Sequence, residues 1–399
     1  MSSPRKQKLE LTWIGKDVRP KLEPRILLED PARSYAAAHR VTDRDLFDNR
    51  LIFGDNLLAL KALEQEFAGK IKCICIDPPY NTGSAFEHYD DGIEHSLWLS
   101  LMRDRLEILR RLLAEDGTLW VFLDDNEVHY LKVLMDEVFG RATFIASIAW
   151  RSGDAPNNDA KQLSIDHNTV LVYSKFQGWL SKALPRTEDA NAHYTNPDND
   201  PNGPWFPGNL SSPHPRKNLQ FDIISPTGHP IKPPTNGWRW SRESIDEKIA
   251  SGEIVFTKEG TRVIRKTYLK NQKGLAPSSL WDNIEETGHN RQAKYELKKL
   301  FPATATEELF ATPKPERVVQ RILMIATDPG DWVLDSFAGS GTTGAVAQKM
   351  GRKWIMVELG EHCHTHIIPR LKKVIDGQDS GGVTEMLNWR GGADYVISV

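Results

Sequence analysis

The sequence of this 399-residue chain predicts an α/β fold built on an open, largely parallel sheet. Two segments support the prediction. The apolar run 71–76 is typical of a buried strand, and it ends at the sequence Asp-Pro-Pro-Tyr of residues 77–80. Residues 331–358 follow the order strand, glycine turn, helix, strand and acid. Because open α/β sheets bind ligands outside the carboxyl ends of their strands, both segments are expected to face a ligand.

The four residues after the first strand suit the methylation of an amino group. The exocyclic N6 of adenine is a poor nucleophile because its lone pair is delocalised into the ring. The Asp77 carboxylate and the Pro78 carbonyl would accept the amino hydrogens and favour the pyramidal nitrogen that attacks a methyl sulfonium. Pro78 and Pro79 have fixed φ angles, and Tyr80 offers a stacking face worth about 1 to 3 kcal/mol. The simpler interpretation is a strand-ending turn, which Asp and Pro also favour.

The segment 331–358 predicts a nucleoside site. Its parts are the strand Asp331–Asp335, the turn Ser336–Thr343, the helix Thr342–Met350 and the strand Lys353–Val357. Glu358 follows Asp335 by 23 residues, near the roughly 20 expected of an acid that binds ribose hydroxyls. The spacing of Gly339 and Gly341 lacks the third glycine of the dinucleotide fingerprint. A pyrophosphate ligand, and with it a nicotinamide-dependent dehydrogenase, is therefore the weaker alternative.

Together these motifs resemble the DNA amino-methyltransferases that use S-adenosylmethionine. Asp-Pro-Pro-Tyr is followed by Asn-Thr-Gly at residues 81–83, and Phe-Ala-Gly-Ser-Gly-Thr-Thr begins at Phe337, far downstream. This order resembles the permuted β group of adenine-N6 enzymes, which includes stand-alone enzymes and modification subunits of type III restriction systems. The resemblance covers about residues 51–139 and 312–368. It implies a Rossmann-like, seven-stranded methyltransferase sheet with circularly permuted motif order and an inserted target-recognition region.

The resemblance also implies roles for individual residues. The catalytic set would be Asp77, Pro78, Pro79 and Tyr80. The cofactor-binding set would be Asp55, Thr312, Lys314, Asp335, Phe337, Ala338, Gly339, Ser340, Gly341, Thr342 and Glu358. Lys314 would pair with the cofactor carboxylate, Glu358 would bind the ribose, and Asp55 would touch the adenosyl end. Equally, Asp55 or Asn56 can cap the helix that begins at Leu57, since Asp and Asn are preferred caps.

The tetrapeptide implies adenine N6 as the methyl acceptor. A Ser in place of Asp77 would have indicated cytosine N4, and cytosine-N4 methylation is the alternative among enzymes. A catalytically silent, nucleotide-sensing DNA-binding regulator is disfavoured by the intact Asp77 and Tyr80. A stacked adenine leaves no space for a sulfonium carbon along the N6 lone pair, so the target base is expected to flip out, at a cost of a few kcal/mol.

The distribution of charge suggests where DNA is read, although the whole chain has a net charge of −3. Residues 151–300 contain 21 Lys and Arg against 17 Asp and Glu, whereas the remainder contains 30 against 37. Basic and aromatic residues interleave in this region, which predicts a target-recognition insert, with a solvated loop-rich segment as the simpler alternative. The predicted DNA contacts are Arg216, Lys217, Arg239, Arg242, Arg265 and Lys266.

We therefore expect four regions: an N-terminal arm over residues 1–45, a catalytic half over 46–150, the insert over 151–300 and a cofactor-binding half over 301–399. The expected helices are Leu57–Phe67, Leu97–Leu113 and Glu127–Phe139, and further strands are expected at Thr118–Leu123, Thr169–Tyr173 and Glu253–Thr257. The polar stretch between Asn81 and Ser96 is interpreted either as a mobile loop over the flipped base or as a plain surface loop.

Composition is consistent with a cytoplasmic enzyme, and the resemblance implies a bacterial, nucleoid-associated one. There is no apolar run near the roughly 18 residues of a membrane span, and the polar segment 1–6 does not suggest a signal peptide. Cys73 and Cys75 are interpreted as core thiols. Cys363 lies among histidines, but no second Cys or His cluster completes a tetrahedral set, so no metal is predicted. The expected partners are double-stranded DNA, a second copy in a homodimer and, if the enzyme does not act alone, a restriction subunit.

Overall fold

The computed structural model describes residues 10–37, 48–81, 94–305 and 309–399. Its chain divides into two compact units, residues 1–182 with 277–399 and residues 183–276. Within the described ranges, none of the helices combines the length and the apolar content needed to cross a membrane.

The strands of the described residues, in chain order, are β1 (Tyr35–Ala36), β2 (Arg50–Phe53), β3 (Ile71–Ile76), β4 (Leu113–Leu123), β5 (Phe144–Arg151), β6 (His167–Ser174), β7 (Trp205–Gly208), β8 (Ile223–Ile224), β9 (Pro230–Ile231), β10 (Ile254–Phe256), β11 (Val263–Tyr268), β12 (Leu280–Trp281), β13 (Trp332–Asp335), β14 (Lys353–Glu358) and β15 (Asp394–Ser398). The helices are α1 (Asn56–Phe67), α2 (His95–Leu112), α3 (Val128–Met135), α4 (Glu188–Asn191), α5 (Arg242–Ala250), α6 (Ile284–Thr287), α7 (Asn290–Leu300), α8 (Glu316–Ala326), α9 (Thr342–Lys349), α10 (Ile368–Ile375) and α11 (Thr384–Leu387).

One mixed sheet organises the first unit, in the order β1-β15-β2-β14-β13-β3-β4-β6-β5-β12. The seven adjacent strands from β2 to β5 match the predicted Rossmann-like methyltransferase sheet, with β6 antiparallel to both of its neighbours. Among the described residues, β1 and β15 at one edge and β12 at the other extend these seven strands to a sheet of ten. Short segments pair with both edges, which satisfies backbone groups that an edge strand leaves open.

The permuted motif order brings the turns that follow β3 and β13 together. Strand β13 lies beside β3 and runs parallel to it, with Leu334 opposite Ile74. Parallel neighbours end at the same edge of a sheet, so Asp77 and Asp335 leave the sheet side by side. Residues that lie far apart in the sequence therefore contribute to one site.

Helix α2 shows how the first unit forms its core. Its apolar residues recur every three or four positions, which gives an amphipathic helix one buried face. Trp98, Met102, Leu106 and Leu109 are fully buried on that face and pack with the strands of the sheet. Cys73 and Cys75 are buried within β3, as predicted, and burial raises the pKa of both thiols.

The described part of the N-terminal arm, residues 10–37, packs on its own chain. The Trp13 indole donates to the Ser100 hydroxyl at 2.8 Å, and Leu28 exchanges backbone hydrogen bonds with Val399. The predicted loop between Asn81 and Ser96 lies largely outside the described residues, which stop at Asn81 and resume at Glu94.

The second unit, residues 183–276, is shorter than the predicted insert. The strand expected at Thr169–Tyr173 is β6, and it lies inside the main sheet. The strand expected at Glu253–Thr257 is β10, the edge of an antiparallel sheet in the order β10-β11-β7. This unit has a small hydrophobic core of its own, which consists of Leu219, Ile223, Ile231, Trp238, Ile245 and Ile254.

Candidate active site

Asp77 directly follows β3 and forms an ion pair with Lys314. Its Oδ2 atom accepts a hydrogen bond from the Lys314 ammonium. Its Oδ1 atom is buried and meets no hydrogen-bond donor among the residues that the structure describes. The Asp77 and Lys314 side chains are only 26% and 11% exposed, so water screens the pair weakly. The site thus offers one occupied and one unsatisfied carboxylate oxygen.

The turn after Asp77 is held in place from helix α2. The buried Trp98 indole donates to the Pro79 carbonyl at 2.8 Å. Tyr80 is half-buried against the core, and the Lys314 nitrogen lies 5.2 Å from its ring centroid, within the range of a cation–π contact. Asp77, Lys314 and the Tyr80 ring are therefore neighbours, although the sequence assigned Lys314 to the cofactor.

Glu127 supports the next residue of the turn and was not predicted. Asn81 has a positive φ of 59°. Its side-chain amide nitrogen Nδ2 donates to Glu127 Oε1 at 2.7 Å. His95 Nδ1 lies 2.8 Å from the same oxygen. An acid at the start of α3 suggests a helix cap from sequence, but the Glu127 side chain makes no capping hydrogen bond. Its buried carboxylate instead links the ends of β3 and β4.

The glycine turn after β13 is built around Asp335. Asp335 accepts hydrogen bonds from the Phe337 amide at 3.0 Å and from the Thr343 hydroxyl at 2.6 Å. Burial raises the pKa of Asp335 to about 7, with a smaller contribution from the nearby Asp77 carboxylate. Asp335 thus shapes the turn through its own carboxylate.

Two glycines of this turn have left-handed backbone conformations. Gly339 has a φ of +54°, and a Cβ there would lie 3.2 Å from the Phe310 ring. Gly341 has a φ of +76°, and its Cβ would lie 3.0 Å from Ile367. The requirement for glycine therefore follows from backbone conformation and packing, in addition to the predicted approach of a ligand.

Glu358 ties the glycine turn to the loop after β14. Its carboxylate accepts from the Gly339 amide at 2.7 Å and the Gly360 amide at 2.9 Å, and it lies 3.1 Å from His362 Nε2. Burial alone would raise the pKa of Glu358, but hydrogen bonds from His362 and these amides hold the pKa below its ordinary value. A ribose hydroxyl would therefore share a carboxylate that already organises the turn. His362, one of the histidines next to Cys363, is fully buried beside it.

Glu358→Ala should weaken cofactor binding by roughly 1.5 to 3 kcal/mol, the range for a charged hydrogen bond. We also expect a lower free energy of unfolding without any ligand, because the Gly339 and Gly360 amides lose their acceptor. Calorimetry and denaturant titration measure the two effects. Glu361→Ala, which removes an exposed acid from the same loop, is the control. Unchanged stability of Glu358→Ala would contradict the role in the turn.

Asp55 is the N-cap of α1, as its alternative interpretation states. It accepts hydrogen bonds from the Leu57 and Leu58 amides at 2.9 and 3.1 Å. The neighbouring Asn56 reaches the glycine turn instead and donates to the Ser336 carbonyl at 2.7 Å. Thr312 is exposed.

Arg370 is a further buried residue at the turn that was not predicted. Its guanidinium donates to the Ser340 carbonyl at 3.1 Å, to the Thr342 hydroxyl at 2.9 Å and to Glu316 at 2.9 Å. The remaining predicted cofactor residues lie buried around this turn, namely Phe337, Ala338, Ser340 and Thr342. The described residues contain no cluster of three or more side chains able to hold a metal ion.

Three cations surround Trp240 in the second unit. Arg239, Lys248 and Arg265 lie 5.5, 5.1 and 4.8 Å from its ring centroid. Arg242 is exposed nearby in sequence, and its guanidinium lies 4.6 Å from the Phe221 ring. Arg216 and Lys217 are also exposed.

Lys266 is placed differently from the prediction. Its side chain is 7% exposed, and its ammonium forms ion pairs with Asp198 and Asp200. Side chains alternate between the faces of a strand, so Lys266 points away from the face that holds Arg265. Lys266 is an interior ion-pair residue of the second unit.

The sheet topology and the two adjacent turns define an α/β protein of the methyltransferase class. The sequence profile of a family described as DNA methylase matches residues 71–369. This match covers most of the chain, and the chain belongs to that family. The resemblance to DNA amino-methyltransferases is thereby confirmed.

Curated relatives include modification subunits of restriction systems. The chain is 30% identical to the probable type III restriction-modification enzyme HindVI Mod subunit of Haemophilus influenzae, over 92% of this chain and 56% of that protein. It is 31% identical to the StyLTI Mod subunit of Salmonella typhimurium, over 74% and 49%. The chain thus spans about half the length of these relatives. A solved structure of the cytosine-N4-specific PvuII DNA methyltransferase is 16% identical, with a TM-score of 0.45, over 90% of this chain and 98% of that one.

Proposed function

We propose that this protein is a sequence-specific DNA methyltransferase that transfers a methyl group from S-adenosylmethionine to N6 of a flipped adenine. The observation that supports this proposal most is the position of the Asp77 carboxylate and the Tyr80 ring beside the glycine turn of Asp335. Parallel pairing of β3 with β13 brings the two turns to one edge of the sheet, which supports a base site next to a cofactor site. Family membership supports the same reaction.

The residues around the glycine turn fit the proposed cofactor. S-adenosylmethionine carries a carboxylate, ribose hydroxyls and an adenine ring, and when bound it supplies a methyl group on a sulfonium sulfur. Lys314 is a cation able to bind the carboxylate, and Glu358, which accepts from the Gly339 amide, is an acid able to bind the hydroxyls. The Phe310 and Phe337 side chains offer apolar surface, and Gly339 keeps the backbone free of a side chain.

The catalytic contribution of the chain is to orient the amino group. Asp77 Oδ1, the carboxylate oxygen without a donor among the described residues, would accept one amino hydrogen, and the Pro78 carbonyl would accept the other. These bonds turn the nitrogen lone pair towards the methyl carbon without a covalent enzyme intermediate. Stacking on Tyr80 would offset part of the cost of flipping. An amino group that loses a proton after transfer has Asp77 as its first acceptor.

We assign DNA recognition to the second unit, within the predicted insert. Residues 183–276 contain 13 Lys and Arg against 10 Asp and Glu, so the unit retains most of the positive excess of the insert. Arg239 beside Trp240 and Arg242 beside Phe221 are both exposed, and a cation next to an aromatic ring is suited to phosphates and base edges. We further propose a homodimer and, because its relatives are Mod subunits, assembly with a restriction subunit near DNA in the bacterial cytoplasm.

Replacement of Arg239 and Arg242 by Gln should weaken DNA binding and leave cofactor binding unchanged. Each lost phosphate contact should reduce the slope of log affinity against log salt by roughly 1, whereas a lost base contact should cost about 1 to 3 kcal/mol only on the cognate site. Binding measured at several salt concentrations separates the two. The control is the double replacement of Lys258 and Lys273 by Gln. Both lysines are exposed in the same unit, so this variant loses the same positive charge as the arginine variant. Equal losses of DNA affinity in both double variants would contradict the assignment of DNA contacts to Arg239 and Arg242.

The proposed reaction is tested directly on bacterial DNA that lacks modification. The protein is incubated with this DNA and S-adenosylmethionine, and modified bases are mapped by sequencing that detects them. We expect N6-methyladenine in one sequence context. N4-methylcytosine would favour the alternative enzyme, and cofactor binding without any modified base would favour the silent regulator.

A further inference from the structure

The Lys314 ammonium occupies one of the two carboxylate oxygens of Asp77, the residue that orients the amino group of the target base in the proposed reaction. It donates to Asp77 Oδ2, and its nitrogen is 5.2 Å from the Tyr80 ring centroid and 5.5 Å from that of Phe122. A target adenine would likewise donate an amino hydrogen to Asp77 while its ring lies on Tyr80. The Lys314 ammonium therefore takes up a hydrogen-bond acceptor of the base site. Because it is charged, it binds a carboxylate more strongly than a neutral amino group does.

The backbone of Lys314 is anchored while its side chain can rotate. Pro313 and Pro315 flank it, both buried and both with restricted φ angles, and Pro315 is the N-cap of α8. The Lys314 carbonyl accepts a hydrogen bond from the Thr342 hydroxyl at 3.2 Å, which connects it to the glycine turn. The base of this lysine is thus fixed next to the proposed cofactor site. Its flexible four-carbon stem allows the ammonium to move between two partners.

We propose that Lys314 exchanges between Asp77 and the carboxylate of the cofactor, so that cofactor binding releases Asp77 for the target base. This inference rests on the proposed function. Without cofactor, the ammonium holds Oδ2 and an incoming amino group meets a partly occupied site. With cofactor, the ammonium binds the ligand carboxylate and both Asp77 oxygens become available. The exchange imposes an order in which the cofactor binds before the base, and no covalent bond changes in this step.

The exchange predicts that Asp77 and the cofactor carboxylate compete for one cation. Asp77→Asn should therefore bind S-adenosylhomocysteine more tightly than the wild type, by about threefold to fivefold, the upper range for a partly exposed ion pair. S-adenosylhomocysteine is the appropriate probe because it lacks the sulfonium charge that Asp77 would attract. Asp116→Asn breaks the Lys72–Asp116 pair at the other end of β3 and should leave the affinity unchanged. Isothermal calorimetry measures all three proteins after circular dichroism has shown that they are folded.

Two further measurements test whether the tighter binding by Asp77→Asn depends on Lys314. In a Lys314→Met background, Asp77→Asn should no longer tighten binding. With 5′-methylthioadenosine, which lacks the amino-acid part, Asp77→Asn should bind like the wild type. Equal or weaker binding of S-adenosylhomocysteine by Asp77→Asn, or a gain that persists with Lys314→Met, would overturn the exchange and leave the proposed function intact. No binding of S-adenosylhomocysteine to the wild type would overturn both.

Discussion

Asp77→Ala is expected to abolish methyl transfer, by at least about a thousandfold, while cofactor affinity stays within a few fold of the wild type. The carboxylate directly follows β3, and its Oδ1 atom has no donor among the described residues. Without it, the amino nitrogen keeps its lone pair in the ring and lacks an acceptor for its hydrogens. Transfer of a radiolabelled methyl group to DNA measures the loss, and calorimetry with the cofactor measures the affinity.

The matched control is Asp116→Ala. Asp116 also forms an ion pair with a lysine, Lys72, at the opposite end of β3. Its removal should change methyl transfer little, because residues Cys73–Ile76 separate Lys72 from the carboxyl end of the strand. If Asp77→Ala lost cofactor binding together with activity, Asp77 would belong to the cofactor site, and its assignment to the amino group would be wrong.

The turns that follow β3 and β13 could be predicted because each is a local feature. A buried strand that ends in Asp77 and a strand that ends in Asp335 are visible in short windows, and the position of ligands at strand ends follows from the fold class. The parallel pairing of β3 with β13 then confirms that the two turns meet. The strand at Thr169–Tyr173 was recognised as a strand but assigned to the insert, since periodicity identifies a strand without identifying its neighbours.

Residues whose roles depend on distant partners could not be predicted. Glu127 meets Asn81 across two strand ends, and Arg370 reaches the glycine turn from another helix. Neither contact leaves a pattern in a short window of sequence. The DNA contact predicted for Lys266 was wrong for a related reason. A basic residue in a strand is assumed to be exposed, and the Asp198 and Asp200 partners of Lys266 lie more than 60 residues earlier in the sequence. Lys314 was recognised, but its partner in the structure is Asp77.

Gly339→Val is expected to abolish cofactor binding. The residue has a φ of +54°, a conformation that a β-branched side chain strongly disfavours, and a Cβ would also press on Phe310 at 3.2 Å. Relief of this strain would move the Gly339 amide away from Glu358, its hydrogen-bond acceptor at 2.7 Å. The turn would then lose both its shape and its link to β14. Calorimetry with S-adenosylmethionine measures the affinity, and thermal unfolding shows whether the variant is folded.

Backbone strain alone can be separated from the effect on the site by Gly351→Val. Gly351 also has a left-handed backbone, with a φ of +69°, but no atom lies within 4 Å of its ideal Cβ. This control should lose stability, by about 1 to 2 kcal/mol, and keep its cofactor affinity. A folded Gly339→Val protein with unchanged affinity would remove the glycine turn from the cofactor site. Loss of binding in Gly339→Val but not in Gly351→Val would instead show that the local shape of this turn, and not the general stability of the sheet, determines whether the cofactor binds.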